Sequence, residues 1–106
     1  MNPSSASAAG REAALLAKKQ FKRLAHATAR PRIARADAIA QVIWKRWGIG
    51  IYRWRLKHVR WFLEIGLEEF SPASQYQYWL CLRSLLRITG RDRWYASLQG
   101  SWCKPK

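Results

Sequence analysis

The chain has 106 residues, of which 20 are Lys or Arg and 6 are Asp or Glu, so its formal net charge is +14. This length accommodates one small domain with a modest core, and it excludes a multidomain enzyme with a cofactor domain of its own. Repulsion among so many like charges opposes a compact state. A polyanionic partner is therefore the simplest explanation for them, and nucleic acid is the default polyanion.

The rest of the composition indicates a folded protein. Hydrophobic residues make up 49% of the chain and seven residues are Trp, well above the level of disordered basic tails. No apolar run reaches the length of a membrane span, and the first five residues lack the pattern of a signal peptide. We therefore expect a protein of the bacterial cytoplasm or nucleoid that does not contact membranes.

Thiols and imidazoles are too few to predict a metal site or a disulfide framework. Cys81 and Cys103 lie far apart in the chain, and His26 and His58 are the only histidines. We expect reduced thiols, no metal and no cofactor.

The first half of the chain predicts a leader and two helices. Residues 1–10 are rich in Ser, Ala and Asn without periodic apolar positions, which predicts a disordered leader. Residues 11–29 favour a helix, and Pro31 is expected to end it because proline lacks the amide donor that continues a helix. A second helix is predicted over 33–47, followed by the stop signal Gly48-Ile49-Gly50.

The segment from Ile51 to Leu56 alternates apolar and polar residues. It suits a short strand as well as a turn that enters the next helix. Because a single strand would have no partner in this sequence, we assign the segment to a loop or a helical turn and keep the strand as the alternative.

A third helix is predicted over 57–69, with Phe62 and Leu63 on its buried face. Ser71 and Pro72 then predict the start of a fourth helix, because the serine oxygen caps free backbone donors and proline already has the helical φ.

The fourth helix is expected to run to about Thr89 and to stop at Gly90, before a short helix from Asp92 to Leu98 and a C-terminal tail over 99–106. Together the elements predict an all-α fold, a compact bundle of four to five helices that forms a single DNA-binding domain over 11–98.

The fourth helix carries a candidate reading surface. At 100° per residue its apolar residues fall on one arc, and Tyr76, Arg83 and Arg87 lie opposite, flanked by Gln77 and Ser84. Arginine binds phosphates and guanine edges, glutamine suits adenine edges, and tyrosine can stack on a sugar or donate to a phosphate. The alternative is an ordinary solvated face, since many soluble helices expose two arginines.

A second basic cluster extends from the end of the second helix into the third, and it comprises Lys45, Arg46, Arg53, Arg55, Lys57 and Arg60. Aromatic residues are interleaved with it and could stack the bases of a single strand, but they could equally form the core. We expect Trp47 in the core and leave Trp54 and Trp61 open. The alternative functions are therefore an RNA or single-strand binder that uses exposed Trp, and a protein-interaction module with a basic surface.

Catalytic patterns are missing from the sequence. The acids Glu64, Glu68 and Glu69 fall on the outer side of the third helix, and the glycines at 48 and 50 lack the rest of a nucleotide-binding fingerprint. We expect neither an enzyme nor a small-molecule substrate.

Two segments carry a resemblance to a known family. Phe70-Ser71-Pro72-Ala73-Ser74, followed by the run from Tyr78 to Leu86, resembles a capped Leu-Ser-Pro-x-Thr start before a Tyr-x-x-x-Leu-Arg-Ser-Phe-like helix. The segment from Leu56 to Glu64 resembles the helix before it. These features, within about half the chain, are similar to the N-terminal core-binding domain of tyrosine recombinases of the phage-integrase family, which has a SAM-like helical fold.

The resemblance implies a domain that clamps one side of duplex DNA in processes of integration, excision or recombination of a mobile element. It would place near DNA Ser74, Gln75, Gln77, Arg83 and Arg87. The family's catalytic arginine, His-x-x-Arg segment and tyrosine nucleophile have no room in 106 residues. The chain would then be a stand-alone DNA-binding protein or the amino-terminal piece of a longer integrase, with a recombinase or another element-encoded protein as a further partner.

Overall fold

The computed structural model describes residues 2–23 and 25–104, and within them it shows helices without strands. The helices are α1 (Ala6–Gln20), α2 (His26–Trp47), α3 (Leu56–Trp61) and α4 (Pro72–Ile88). A π-helical turn over Phe62–Gly66 continues α3, and short 3₁₀ turns cover Ile51–Arg53, Asp92–Ser97 and Ser101–Cys103. The predicted all-α bundle is thus confirmed, and the segment from Ile51 forms a helical turn rather than a strand.

Helices α1 and α2 pack closely because the inner face of α1 is made of small side chains. Ala9, Ala13 and Ala17 are fully buried. A Cβ added at Gly10 would overlap the Asp37 carboxyl group on α2, so a larger residue here would force the neighbouring side chains to shift. The alanine stripe has little apolar volume, which is why it is a weak signal in the sequence.

The predicted leader is wrong over residues 6–10, because α1 already begins at Ala6. The Ser5 side chain caps this helix by accepting a hydrogen bond from the Ala8 amide at 3.1 Å. Asn2 is also anchored, since its amide group donates to the Gly48 carbonyl at 2.8 Å and accepts from the Gly50 amide at 2.9 Å. These contacts lie more than 40 positions away in the chain, so no local pattern predicts them.

The predicted helix end at Pro31 is also wrong. Pro31 lies inside α2, in its second turn, where it removes only one backbone hydrogen bond. The chain turns earlier: Phe21 ends α1 with its amide bonded to the Ala17 carbonyl, and Ala25 precedes α2 with an extended ψ of 146°.

The second half of the fold follows the local signals. Ser71 caps α4 by accepting from the Ser74 amide at 3.2 Å, Pro72 occupies the first turn, and Gly90 has the left-handed φ of 74°. Phe62 and Leu63 are buried as predicted. The buried residues of α4 are Trp79, Cys81, Leu82, Leu85 and Leu86.

The end of the chain packs against the bundle. Trp102 is only 8% exposed, and its indole Nε1 donates to the Leu98 carbonyl at 3.0 Å. Residues 101–103 therefore form an ordered turn rather than the predicted tail. No helix in the described part of the chain combines the length and the apolar composition needed to cross a bilayer.

Candidate nucleic-acid interface

The outward face of α4 presents the polar side chains that the helical periodicity predicted. Gln77, Arg83 and Arg87 are exposed, whereas Tyr76 is half-buried and packs partly against the core. The face is therefore narrower than predicted, with two arginines and one glutamine as its fully accessible groups.

Two adjoining clefts border this face, and the end of α1 contributes to both. The first, of about 160 Å³, is lined by Phe21, Arg32, Gln77, Leu80, Cys81, Arg83 and Ser84. The second, of about 290 Å³, is lined by Gln20, Arg83, Ser84, Arg87 and Tyr95. Because both clefts share Arg83 and Ser84, the side chains around them form one continuous surface that involves α1, α2 and α4.

Arg32 belongs to this surface, although the sequence did not predict it. Its guanidinium lies 5.3 Å from the centre of the Phe21 ring, a cation–π contact that holds it at the edge of the first cleft. The neighbouring Cys81 thiol donates to the Arg32 carbonyl at 3.2 Å and ties α4 to α2. The sequence predicts a helix end at Pro31, so it gives no indication that Arg32 lies beside α4.

Tyr95 fixes the opposite border of the face. Its hydroxyl donates to the Arg83 carbonyl at 2.7 Å, and its ring meets Trp79 edge to face. Burial, with a smaller contribution from Asp92, raises the pKa of Tyr95, so the phenol stays a neutral donor. The 3₁₀ turn that carries Tyr95 is thereby attached to α4.

Two of the residues suggested by the family resemblance make hydrogen bonds within the protein. The Gln75 amide nitrogen donates to the Leu67 carbonyl at 2.9 Å and to the Phe70 carbonyl at 3.0 Å. Ser74 is exposed, but its hydroxyl accepts from the Ser71 hydroxyl at 3.2 Å. Both side chains stabilise the start of α4, and the hydrogen bonds of the Gln75 amide nitrogen occupy both of its donors.

The second basic cluster is exposed at all six predicted positions. Arg53 and Arg55 line a separate cleft, and the Arg60 guanidinium donates to the Ser97 carbonyl at 3.4 Å. Arg91 donates to the Tyr52 carbonyl at 3.0 Å. Residues 91–97 therefore contact this cluster on one side and, through Tyr95, the α4 face on the other.

The tryptophans contribute mainly to the core. Trp54 is only 2% exposed, which decides its role, while Trp47 and Trp61 are half-buried and meet edge to face at 5.0 Å. No tryptophan in the described ranges is exposed enough to serve as an open stacking platform. Among the aromatic side chains described, Tyr52 at 58% and Phe70 at 43% are the most exposed.

No acidic residue lines either of the two α4 clefts, although Asp92 is near enough to Tyr95 to affect its pKa. Asp37 accepts a hydrogen bond from the Gln41 amide between α1 and α2, and Glu64, Glu68 and Glu69 are exposed at the end of the third helical segment. The described residues contain no group of three or more His, Cys, Asp or Glu side chains that could hold a metal ion. Burial raises the pKa of the Cys81 thiol to about 12, which leaves it protonated and a poor nucleophile.

Comparison of the chain with protein-family models, with curated proteins and with solved structures returned no match. The resemblance to integrase core-binding domains thus depends on the residues of this sequence alone.

Proposed function

We propose that this chain is a non-catalytic protein that binds duplex DNA. The observation that carries the proposal is the meeting of Arg32 from α2 with Arg83 and Arg87 from α4 around adjoining clefts that no acidic side chain lines. We name the Arg83 surface after these three arginines together with Gln77.

The side chains of the Arg83 surface can bind the sugar-phosphate backbone of DNA and the edge of a neighbouring base. Guanidinium groups form charge-assisted, bidentate hydrogen bonds with phosphate oxygens, and Gln77 offers the donor and acceptor pair that matches an adenine edge. Contacts with phosphates release counterions. An interface with about six such contacts gives a slope near −5 in a plot of log affinity against log salt concentration.

A link with integration or excision of a mobile element is part of the proposal, and the capped start of α4 with its Leu82-Arg83-Ser84-Leu85 run supports it. The chain would supply DNA contacts, and catalysis would belong to a recombinase or to another part of a longer protein. Site preference distinguishes such a protein from a charge-driven packaging protein, because only the former retains one DNA sequence against competitor DNA at moderate salt.

The first test replaces Arg83 and Arg87 together with alanine. Both side chains are exposed, so the melting temperature should change little, because exposed substitutions usually stay within about 0.5 kcal/mol. Duplex affinity, measured by fluorescence anisotropy over a range of salt concentrations, should fall, and the salt slope should shrink by about one per lost phosphate contact.

A matched control removes two positive charges elsewhere. Arg11 and Lys104 are exposed and line neither α4 cleft, so their double alanine variant should bind duplex nearly as wild type does. If both double variants lowered duplex affinity equally, net charge alone would explain the binding. That result would contradict the assignment of the DNA interface to α4. A wild-type affinity that did not change with salt concentration would reject an interface built on phosphate contacts, and no detectable binding at low salt would reject nucleic-acid binding altogether.

A further inference from the structure

A cleft of about 370 Å³ lies beside the second basic cluster, and we call it the Tyr52 cleft. It is lined by Ile49, Tyr52, Arg53, Trp54, Arg55 and His58. Its volume is within the range of small-ligand sites. None of the six lining residues is acidic, and their polar groups are mostly donors.

Two buried polar groups in or beside this cleft lack partners. Trp54 is 98% buried, yet its indole Nε1 makes no hydrogen bond, and the buried Nη1 of the adjacent Arg91 has no partner either. Unpaired buried donors are costly, especially charged ones. His58 adds no acceptor, since its Nδ1 already accepts from the Arg55 amide at 2.9 Å and its other nitrogen can only donate. These two donors are themselves inaccessible, so the groups that an anion in the cleft can reach are the exposed guanidinium groups of Arg53 and Arg55.

Tyr52 supplies an aromatic surface at the same cleft. Its side chain is 58% exposed although its backbone is held, because Arg91 donates to its carbonyl. An exposed ring flanked by arginines is the combination that binds nucleotides of single strands: the base stacks on the ring and the cations bind the phosphate. A free phosphate would use the donors but would leave the ring unused.

The cleft lies close to the Arg83 surface. Arg91 donates to the Tyr52 carbonyl, and Tyr95 donates to the Arg83 carbonyl. Arg91 and Tyr95 are four positions apart in a segment that is mostly 3₁₀ helix. At about 2 Å per residue their backbones are roughly 8 Å apart. The two sites are thus joined through direct contacts with one short segment, in a molecule whose longest dimension is 35 Å, about one turn of a DNA duplex.

We propose that the Tyr52 cleft binds one unpaired nucleotide of a DNA strand that continues from a duplex on the Arg83 surface. The base stacks on Tyr52, and the phosphate lies beside Arg53 and Arg55. This inference rests on the proposed duplex binding and adds the structure of the target, a junction between double and single strand.

The test compares four labelled DNAs: a blunt duplex, the same duplex with a short 5′ single-stranded extension, the same duplex with a short 3′ extension, and the isolated extension strand. Wild type should bind one of the extended duplexes roughly tenfold more tightly than the blunt one, the gain expected from stacking a single base. Tyr52→Ala should abolish this gain and leave affinity for the blunt duplex unchanged, while Tyr52→Phe should retain it. A 2-aminopurine at the first unpaired position should lose fluorescence with wild type and not with Tyr52→Ala.

Phe70→Ala is the matched control, because Phe70 is also an exposed aromatic residue but lies at the start of α4, stacked on Tyr78. The Phe70→Ala variant should keep the full gain in affinity for the extended duplex. If wild type binds blunt and extended duplexes equally, or if the gain in affinity survives Tyr52→Ala, the Tyr52 cleft does not bind the unpaired nucleotide. Either result leaves the proposed duplex binding intact. Binding of the single strand and the extended duplex without binding of the blunt duplex supports the cleft and overturns duplex binding by the Arg83 surface.

Discussion

Single side chains in this protein combine structural and electrostatic roles, and His58 is the clearest case. It is buried against Trp47, with ring centres 4.7 Å apart, and its Nδ1 caps the first turn of α3. Burial, then the nearby charges of Lys57 and Arg55, lowers the pKa of His58 below its usual 6.5. A protonated imidazole has no free lone pair, so protonation would also break the cap.

This arrangement predicts a pH-dependent stability. Because the folded state lowers the pKa of His58, the unfolded chain binds the proton first as pH falls. The stability contributed by neutral His58 is therefore fully present above pH 6.5 and is lost as pH falls through the folded-state pKa. Thermal melts between pH 7.5 and 5 should show this loss in wild type and a smaller one in His58→Asn, which keeps an acceptor at the cap. Parallel curves for the two proteins would contradict the role of His58.

Helical elements in this fold are stabilised by core packing strongly enough to tolerate an unfavourable residue. Pro31 is exposed inside α2, so its ring contributes no core packing to offset the hydrogen bond it removes. Helix α2 persists because one face of it, including Ile39 and Ile43, is fully buried.

Pro31→Ala should therefore stabilise the protein. The new amide restores a backbone hydrogen bond and alanine favours the helix, which outweighs the entropy that proline removes from the unfolded chain. We expect a gain of about 1–3 kcal/mol, measured as a higher denaturation midpoint in urea. A lower midpoint would show that the proline marks a helix boundary, as the sequence alone suggested.

The substitution Phe62→Ala tests how the third helical segment packs on the core. Its ring is only 2% exposed, and a Cβ built at Gly66 would lie 3.1 Å from it. Phe62→Ala should lose about 3–5 kcal/mol, from lost burial and the cavity that remains. Calorimetry should show a large drop in the melting temperature, whereas the exposed Ile65→Ala serves as a control with little change. An unchanged melting temperature for Phe62→Ala would refute the packing of this segment.

At the scale of the whole molecule, the net charge of +14 acts on folding and on binding in opposite directions. Salt screens repulsion between exposed cations, since the Debye length falls from about 30 Å at 0.01 M to about 10 Å at 0.1 M. The same salt weakens contacts with a polyanion.

Raising the salt concentration from 10 to 300 mM should therefore raise the melting temperature of the free protein while lowering its affinity for DNA. Differential scanning fluorimetry and anisotropy titrations in the same buffers measure both. A variant with the exposed Lys18, Lys22 and Lys45 replaced by Gln should show a smaller rise in melting temperature. A melting temperature that falls with salt in wild type would contradict net self-repulsion in the folded state.

The sequence by itself determined the features that depend on near neighbours along the chain. The Ser71 and Pro72 start of α4, the stop at Gly90, the buried face with Phe62 and the exposure of Arg83 all follow from capping geometry and helical periodicity. Net charge, which pointed to a polyanionic partner, is likewise a property of composition.

Only the tertiary structure decided which distant residues meet. The alanine face of α1 became a helix interface because α2 covers it, and Pro31 stayed helical because the rest of α2 is packed. Arg32 joined Arg83 at one cleft through the crossing of α2 and α4, and Trp54 entered the core while Tyr52, two residues earlier, remained exposed. These outcomes depend on burial by elements far away in the chain, and local patterns carry no information about that burial.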